Sequence, residues 1–187
     1  MGCHARFLNR TVAALVAILL WTGGPAPAQA DRVEELYEQL QREDQPGWQR
    51  IERALIAEWS KSGSAAADLL LQRGRAALSR NDPLEAIEHL TALTDHAPDF
   101  AEGWNARAEA FFRQGLYGAA LADIARALEL NPRHFIALSG LGTILEDLGQ
   151  YEPALAAYRQ ARAIHPHQPD VKAAIADLER RVAGQRV

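Results

Sequence analysis

A chain of 187 residues is long enough for one domain with a packed core, and short for two. With 24 acidic against 20 basic residues, a net charge of −4 and no basic stripe, it lacks the clustered cations that neutralise phosphates, which argues against a nucleic-acid partner. Cys3 is the only cysteine, so no disulfide framework holds the chain and stability must come from packing.

Residues 1–30 have the order of a secretory signal peptide. Arg6 and Arg10 give a positive start, Val12 to Trp21 is an almost unbroken apolar run, Gly23, Gly24, Pro25 and Pro27 break the helix, and Ala28-Gln29-Ala30 supplies small residues for cleavage after Ala30. The run is about ten residues where a span needs about 20, so an uncleaved membrane anchor is the weaker reading. Cleavage takes two arginines and no acids, leaves 18 basic and 24 acidic residues at a net −6, and places the mature chain outside the cytoplasm, periplasmic or secreted, with no membrane span.

Residues 31–62 are expected to form a degenerate helix pair that caps the N-terminal end of the fold. Val33, Leu36, Tyr37 and Leu40 share one helical face, Trp48, Ile51, Leu55 and Trp59 share another, and Pro46-Gly47 separates them. Ser62-Gly63-Ser64 is a turn.

A period then takes over. Pro98, Pro132 and Pro166 are each 34 residues apart, and setting each at place 32 defines units at 67–100, 101–134 and 135–168. Place 8 holds Gly74, Ala108 and Gly142; place 20 holds Ala86, Ala120 and Ala154; place 24 holds Leu90, Ile124 and Tyr158; place 27 holds Leu93, Ala127 and Ala161. Small residues at places 8 and 20 allow two antiparallel helices to approach closely, with the large ones filling the gaps beside them. Gly115 and Gly149 suit the left-handed residue that ends a first helix. The first unit uses Asn81-Asp82-Pro83 instead, with Asp82 as N-cap, Pro83 at the first helical position and Glu85 completing a capping box; Asp99 and Glu102 repeat that pattern. The recurring proline stops each second helix because it has no N–H to donate. Residues 169–187 form a closing helix, apolar at Val171, Ala174, Ile175, Leu178 and Val182 and charged at Lys172, Asp177, Glu179, Arg180 and Arg181.

Trp104, Ala108, Phe111, Tyr117, Ala120, Ile124, Ala127 and Pro132 resemble the tetratricopeptide repeat signature. Leu138, Leu141, Gly142, Leu145, Tyr151, Ala154, Tyr158, Ala161 and Pro166 match it more closely. The first unit departs from it at Ala77, where an aromatic is usual, and at Leu93, where a small residue is usual. The resemblance implies an all-α fold, an α-solenoid of antiparallel helix pairs, with about nine helices including the capping pair and the closing helix. It also implies a concave groove lined from places 2, 5, 9 and 12 of the first helices. Those places hold Asp68, Leu71, Arg75 and Leu78, then Glu102, Asn105, Glu109 and Phe112, then Ile136, Ser139, Thr143 and Glu146. The partner-binding residues expected from this set are Leu71, Arg75, Leu78, Asn105, Glu109, Phe112, Ser139, Thr143 and Glu146. Certain relatives clamp a C-terminal carboxylate from places 2, 5, 6 and 9; Leu71, Ala106, Ile136 and Gly140 stand at such places here, so that specificity is not expected.

Other constellations point to no chemistry. His165-Pro166-His167 supplies two metal ligands with no cysteine to join them, and His134 and His96 are expected to line solvated turns. The acid pairs Glu34-Glu35 and Glu146-Asp147 are adjacent in sequence and do not converge on a helix. No phosphate-cradling glycine loop, nucleophile elbow or two-histidine zinc helix is present. The expectation is a non-catalytic adaptor of the cell envelope with no cofactor and no metal, binding a peptide or partner protein in the groove. The alternatives are a self-associating protein, a homodimer formed through Trp48 and Trp59, and an accessory factor to cell-wall enzymes.

Overall fold

The structure is a computed structural model that describes residues 27–184. Among these are nine helices and no strand: α1 (Pro27–Leu40), α2 (Trp48–Trp59), α3 (Ala65–Ser79), α4 (Pro83–His96), α5 (Ala101–Arg113), α6 (Tyr117–Leu130), α7 (Phe135–Asp147), α8 (Tyr151–Ile164) and α9 (Pro169–Gly184). The signal-peptide reading falls on residues 1–30, of which 1–26 lie outside the described residues; α1 starts at Pro27 and runs through the expected cleavage point. None of the described helices is long and apolar enough to cross a membrane.

Local rules place the helix ends. The α3–α4 turn passes through Asn81 at φ 59°, and Gly115 and Gly149 occupy the equivalent turns at φ 71°. Asn tolerates this left-handed conformation and Gly adopts it without strain. The Asp82 side chain accepts from the Glu85 N–H, as a cap should. The reciprocal half of the expected box is missing, because the Asp82 N–H donates to the Ala77 carbonyl and the Glu85 carboxylate pairs with Arg80. The second box is absent as well. Phe100 is the N-cap of α5 without a side-chain bond, Asp99 points to solvent, and Glu102 turns inward. Helices α4, α6 and α8 each end two residues before their proline, whose ring disfavours helical geometry in the residue preceding it.

Helices α3/α4, α5/α6 and α7/α8 pair as hairpins, each hairpin stacks on the next, and α9 closes against α8. The place-8 to place-24 contact explains the small residue. A Cβ built on Gly74 would lie 2.5 Å from Leu90 Cγ, and one on Gly142 would lie 2.8 Å from the Tyr158 ring. Three core clusters follow in succession, one joining α3, α4 and α5, one centred on α5, α6 and α7, and one on α7, α8 and α9. Val171, Ile175, Leu178 and Val182 bury the inner face of α9, each side chain worth about 1.5–3 kcal/mol of transfer free energy.

The α1–α2 hairpin does not extend this stack. Its apolar residues Leu36, Tyr37, Leu40, Ile51 and Leu55 form a fourth cluster with Phe135, Ile136 and Ile164, not with α3. The hairpin crosses to the turns that precede α7 and follow α8. Leu69, near the start of α3, stays 46% exposed where a stacked capping pair would cover it.

Candidate functional site

Helices α3, α5 and α7 lie side by side and form one wall of the solenoid. Where α5 and α7 begin, the wall carries a polar shelf. His134 is the N-cap of α7: its Nδ1 accepts from the Ala137 N–H at 3.2 Å, which leaves the ring proton on Nε2, 2.7 Å from Glu102 Oε2. The other carboxylate oxygen of Glu102 accepts from Arg75 Nη2 at 2.6 Å and from Asn105 Nδ2 at 3.3 Å. His134 is 0% and Glu102 3% exposed. Burial by itself would push the Glu102 carboxyl up; the hydrogen bond from His134 and the Arg75 guanidinium outweigh it and hold it below the usual carboxylate range.

The shelf is covered by α2. Trp59 stacks on His134 with ring centroids 4.4 Å apart and leans on Phe135 at 5.0 Å, and the Arg75 Nη1 donates to Ser60 Oγ at 2.8 Å. One turn of the solenoid further on, the same arrangement recurs. His165 meets Trp48 edge-on at 5.2 Å, and its Nε2 lies 3.2 Å from Glu52 Oε1. His167 stacks on Trp48 at 6.0 Å and donates from Nε2 to the Leu40 carbonyl at 3.0 Å. Burial, with the charges of His167 and Lys172 adding to it, lowers the His165 imidazole to about 4. Burial raises the Glu52 carboxyl, so both members of that contact are driven toward their neutral forms. Helix α1 adds a latch: Tyr37 Oη donates to the Arg133 carbonyl at 3.0 Å, the Arg133 guanidinium lies 4.0 Å over the Tyr37 ring, and both its terminal nitrogens bond the Glu34 carboxylate. Desolvation pushes the buried Tyr37 phenol up to about 12.

This geometry corrects several expectations. Leu71 and Leu78, at 2% and 4% exposure, belong to the core between α3, α4 and α5 and line no groove. Arg75 is not an unengaged groove cation, being committed to Glu102 and Ser60. His134 is fully buried and does not line a solvated turn, because the hairpin covers it as it covers His165; His96 is exposed. Trp48 and Trp59, considered as a dimer contact, pack on the chain's own histidines. The Ser139 hydroxyl donates to the Phe135 carbonyl, and Thr143 bonds both the Ser139 carbonyl and the Tyr158 hydroxyl, so neither offers a free donor. The residues of the expected row that remain accessible are Asn105, Glu109, Phe112, Ser139, Thr143 and Glu146, half-buried or exposed, together with the half-buried but engaged Arg75. Glu109 pairs with Arg113, and Phe112 leans on Tyr117 at 5.9 Å.

The shelf went unread in the sequence, although one signal for it was there. Trp48 and Trp59 are 11 residues apart, three helical turns, and thus share a face with Ile51 and Leu55, while the turns after α6 and α8 each supply an imidazole. A second feature had no signal at all. Arg107 Nε and Nη2 bond both oxygens of the buried Asp123 at 2.7 and 2.9 Å, and Nη1 donates to Thr94 Oγ1 at 2.7 Å, tying α5 to α6 and to the preceding hairpin.

Comparison with known proteins agrees with the architecture. The tetratricopeptide repeat family model matches residues 71–129 and 113–169. A TPR repeat-containing protein of Rhizobium etli is 34% identical over 156 residues, which is 83% of this chain and 76% of that protein. Other curated relatives, among them the SGT1 homologs of Bos taurus and Homo sapiens, are longer proteins, of which it spans about a third or less. Among solved structures, the first TPR of Spaghetti (RPAP3) bound to HSP90 peptide SRMEEVD has a TM-score of 0.62 at 24% identity, over 64% of this chain and 95% of that one. The crystal structure of MamA has a TM-score of 0.60 at 20% identity over 86% of each chain. Since α3 to α9 make up under two thirds of the sequence, the MamA match extends into the N-terminal hairpin. The 34-residue period, the helix pairs stacked on small residues, the family-model match and the Rhizobium etli relative agree: the chain belongs to the tetratricopeptide repeat family.

Proposed function

We propose that this protein is a non-catalytic adaptor of the cell envelope, exported by residues 1–30, that receives a segment of a partner polypeptide along α5 and α7. The observation that carries the reading is the open row Asn105, Glu109, Phe112, Ser139, Thr143 and Glu146, which the hairpin leaves uncovered on the wall of first helices. A wall with one half-buried aromatic and carboxylates around it suits an extended or helical peptide that is neutral or basic. The repeat structure bound to an HSP90 peptide supports peptide binding as a use of this fold. Here Leu71 and Ala106 are buried and Glu109 and Glu146 flank the row, which favours a different guest from an acidic tail. Export is compatible with the hairpin. The hydrogen bonds that tie it to the solenoid through Glu34, Tyr37 and Leu40 all lie beyond Ala30.

The test is a capture from envelope extract comparing wild type with Phe112→Ala/Glu146→Arg, both changes lying on the open row. Partners retained by wild type and lost by the variant are expected; identical partner sets would remove the row from consideration. The mass of the protein purified from its own cells should correspond to a chain starting at Asp31, and an intact Met1 would exclude cleavage.

A further inference from the structure

Two imidazoles, each buried at the mouth of an inter-repeat turn, face two tryptophans on one stripe of α2. Trp48, Ile51, Leu55 and Trp59 recur at helical spacing, and they meet His165, Phe135 and His134 on the solenoid. The fit is chemical as well as steric. Arg75 places a guanidinium against the hydroxyl that follows the second tryptophan, and Glu52 faces His165 from the same helix.

This contact differs from the packing between repeats. Trp59 Nε1 and Gln168 Oε1, both near the covered shelf, are the two buried side-chain polar atoms without a hydrogen-bond partner among the described residues. The hairpin is joined to α3 only through residues 60–64, a segment with no large apolar side chain and with Gly63 at φ 82°. A helix lying on the surface, held partly by polar contacts and a short tether, can lift without unstacking the repeats. We propose that the shelf formed by Arg75, Glu102, His134, Phe135 and His165 is a recognition site for an amphipathic helix carrying two aromatic residues three turns apart, occupied in the closed chain by its own α2 and taken by a partner's helix of that kind when the hairpin lifts. The proposal rests on the adaptor reading and names the class of partner. The hairpin is then a resident competitor, and the apparent affinity for an outside helix is the intrinsic one reduced by the fraction of open chains.

The experiment uses the full chain and, as probe, a fluorescently labelled synthetic peptide spanning residues 31–62. Trp59→Ala weakens the resident hairpin, and Glu34→Lys does so from an exposed site, through the Arg133 latch, with no change to any core residue. Circular dichroism at the helical minimum and the unfolding midpoint verify that each variant is folded. Both variants are expected to bind the probe at least about tenfold more tightly than wild type, as the open fraction rises. His165→Ala placed on the Glu34→Lys background should abolish that gain, since it removes the shelf partner of Trp48. Equal binding to wild type and both folded variants, absence of binding to all, or a gain that survives His165→Ala would each overturn the proposal. Sedimentation of wild type at two concentrations adds a further outcome: a dimer lost on Trp59→Ala would make the occupant a second copy of this chain and overturn an external helix. The open-row variant Phe112→Ala/Glu146→Arg should leave probe binding unchanged, so loss of partners there and loss of probe binding here report on separate surfaces.

Discussion

Replacing Asp123 with alanine tests how the repeats are held together. Its carboxylate accepts two bonds from Arg107, and the two side chains are only 6% and 13% exposed. Removing it leaves a guanidinium in place, with its charge uncompensated and two N–H donors unmatched; only the bonds from Nη1 to the Thr94 and Thr91 hydroxyls survive. Breaking one side of a buried pair costs about 3–5 kcal/mol, because the desolvation of the remaining charge is no longer offset. That is a large share of the roughly 5–15 kcal/mol available to a domain of this kind, and at about 2–4 °C per kcal/mol the midpoint should fall by about 6–20 °C. Urea unfolding followed by circular dichroism supplies the number. The reference is Glu179→Ala, which breaks the Arg159–Glu179 pair, where each side chain is about half exposed. That loss should stay below about 1 kcal/mol. The double variant Arg107→Met/Asp123→Leu should recover most of the stability, since it removes the charge along with its partner and keeps an apolar stem beside Trp104. If Asp123→Ala falls within about 1 kcal/mol of Glu179→Ala, or the double variant is weaker than the single, the buried-charge argument is wrong.

Other perturbations bear on separate parts of the structure. Gly74→Ala should cost about 1–3 kcal/mol in the same unfolding assay, because its Cβ would meet Leu90 Cγ at 2.5 Å; Gly118→Ala, with nothing within 4 Å of its Cβ, should be neutral or gain up to about 1 kcal/mol. Gly149→Ala places a Cβ at φ 71° and should lose about 1–2 kcal/mol with no change in the far-ultraviolet spectrum. Acidification should loosen the hairpin. His165 is lowered from 6.5 to about 4 in the folded chain, so the unfolded chain takes up a proton that the native one refuses; its contribution is complete above pH 6.5 and declines as pH falls toward 4, by at most about 3 kcal/mol. The lowered Glu102 adds to this loss below its ordinary pKa of 4.5 and the raised Glu52 opposes it above 4.5, so the comparison of wild type with His165→Gln between pH 6.5 and 5 is what isolates the histidine. A stability profile in His165→Gln as steep as wild type would refute that assignment.

The fold was readable because it is written locally and then repeated. Each unit carries its own left-handed turn at Asn81, Gly115 or Gly149, its own small-on-large contact at places 8 and 24, and its own proline stop. A rule that acts within 34 residues can be inferred from 34 residues, and its recurrence removes most of the ambiguity. The two faces of the N-terminal hairpin were equally legible, since period alone identifies which side chains leave water.

Periodicity names the buried face but not what buries it, and here the tertiary structure decided. Tyr37 meets Arg133 across 96 residues, Trp59 meets His134 across 75, and Glu52 meets His165 across 113. Nothing in the local sequence around either partner distinguishes a hairpin stacked on α3 from one laid across the wall, because both would bury Trp48, Ile51, Leu55 and Trp59. The same limit misplaced Leu71 and Leu78, whose positions sit in the core here because the apolar side chains of α3 pack inward between α4 and α5. Sequence alone thus determined the repeating helix pairs, through short-range sterics and hydrogen bonding. Which surface stayed open to a guest was set by a single long-range docking event, whose free energy belongs to residues far apart in the chain.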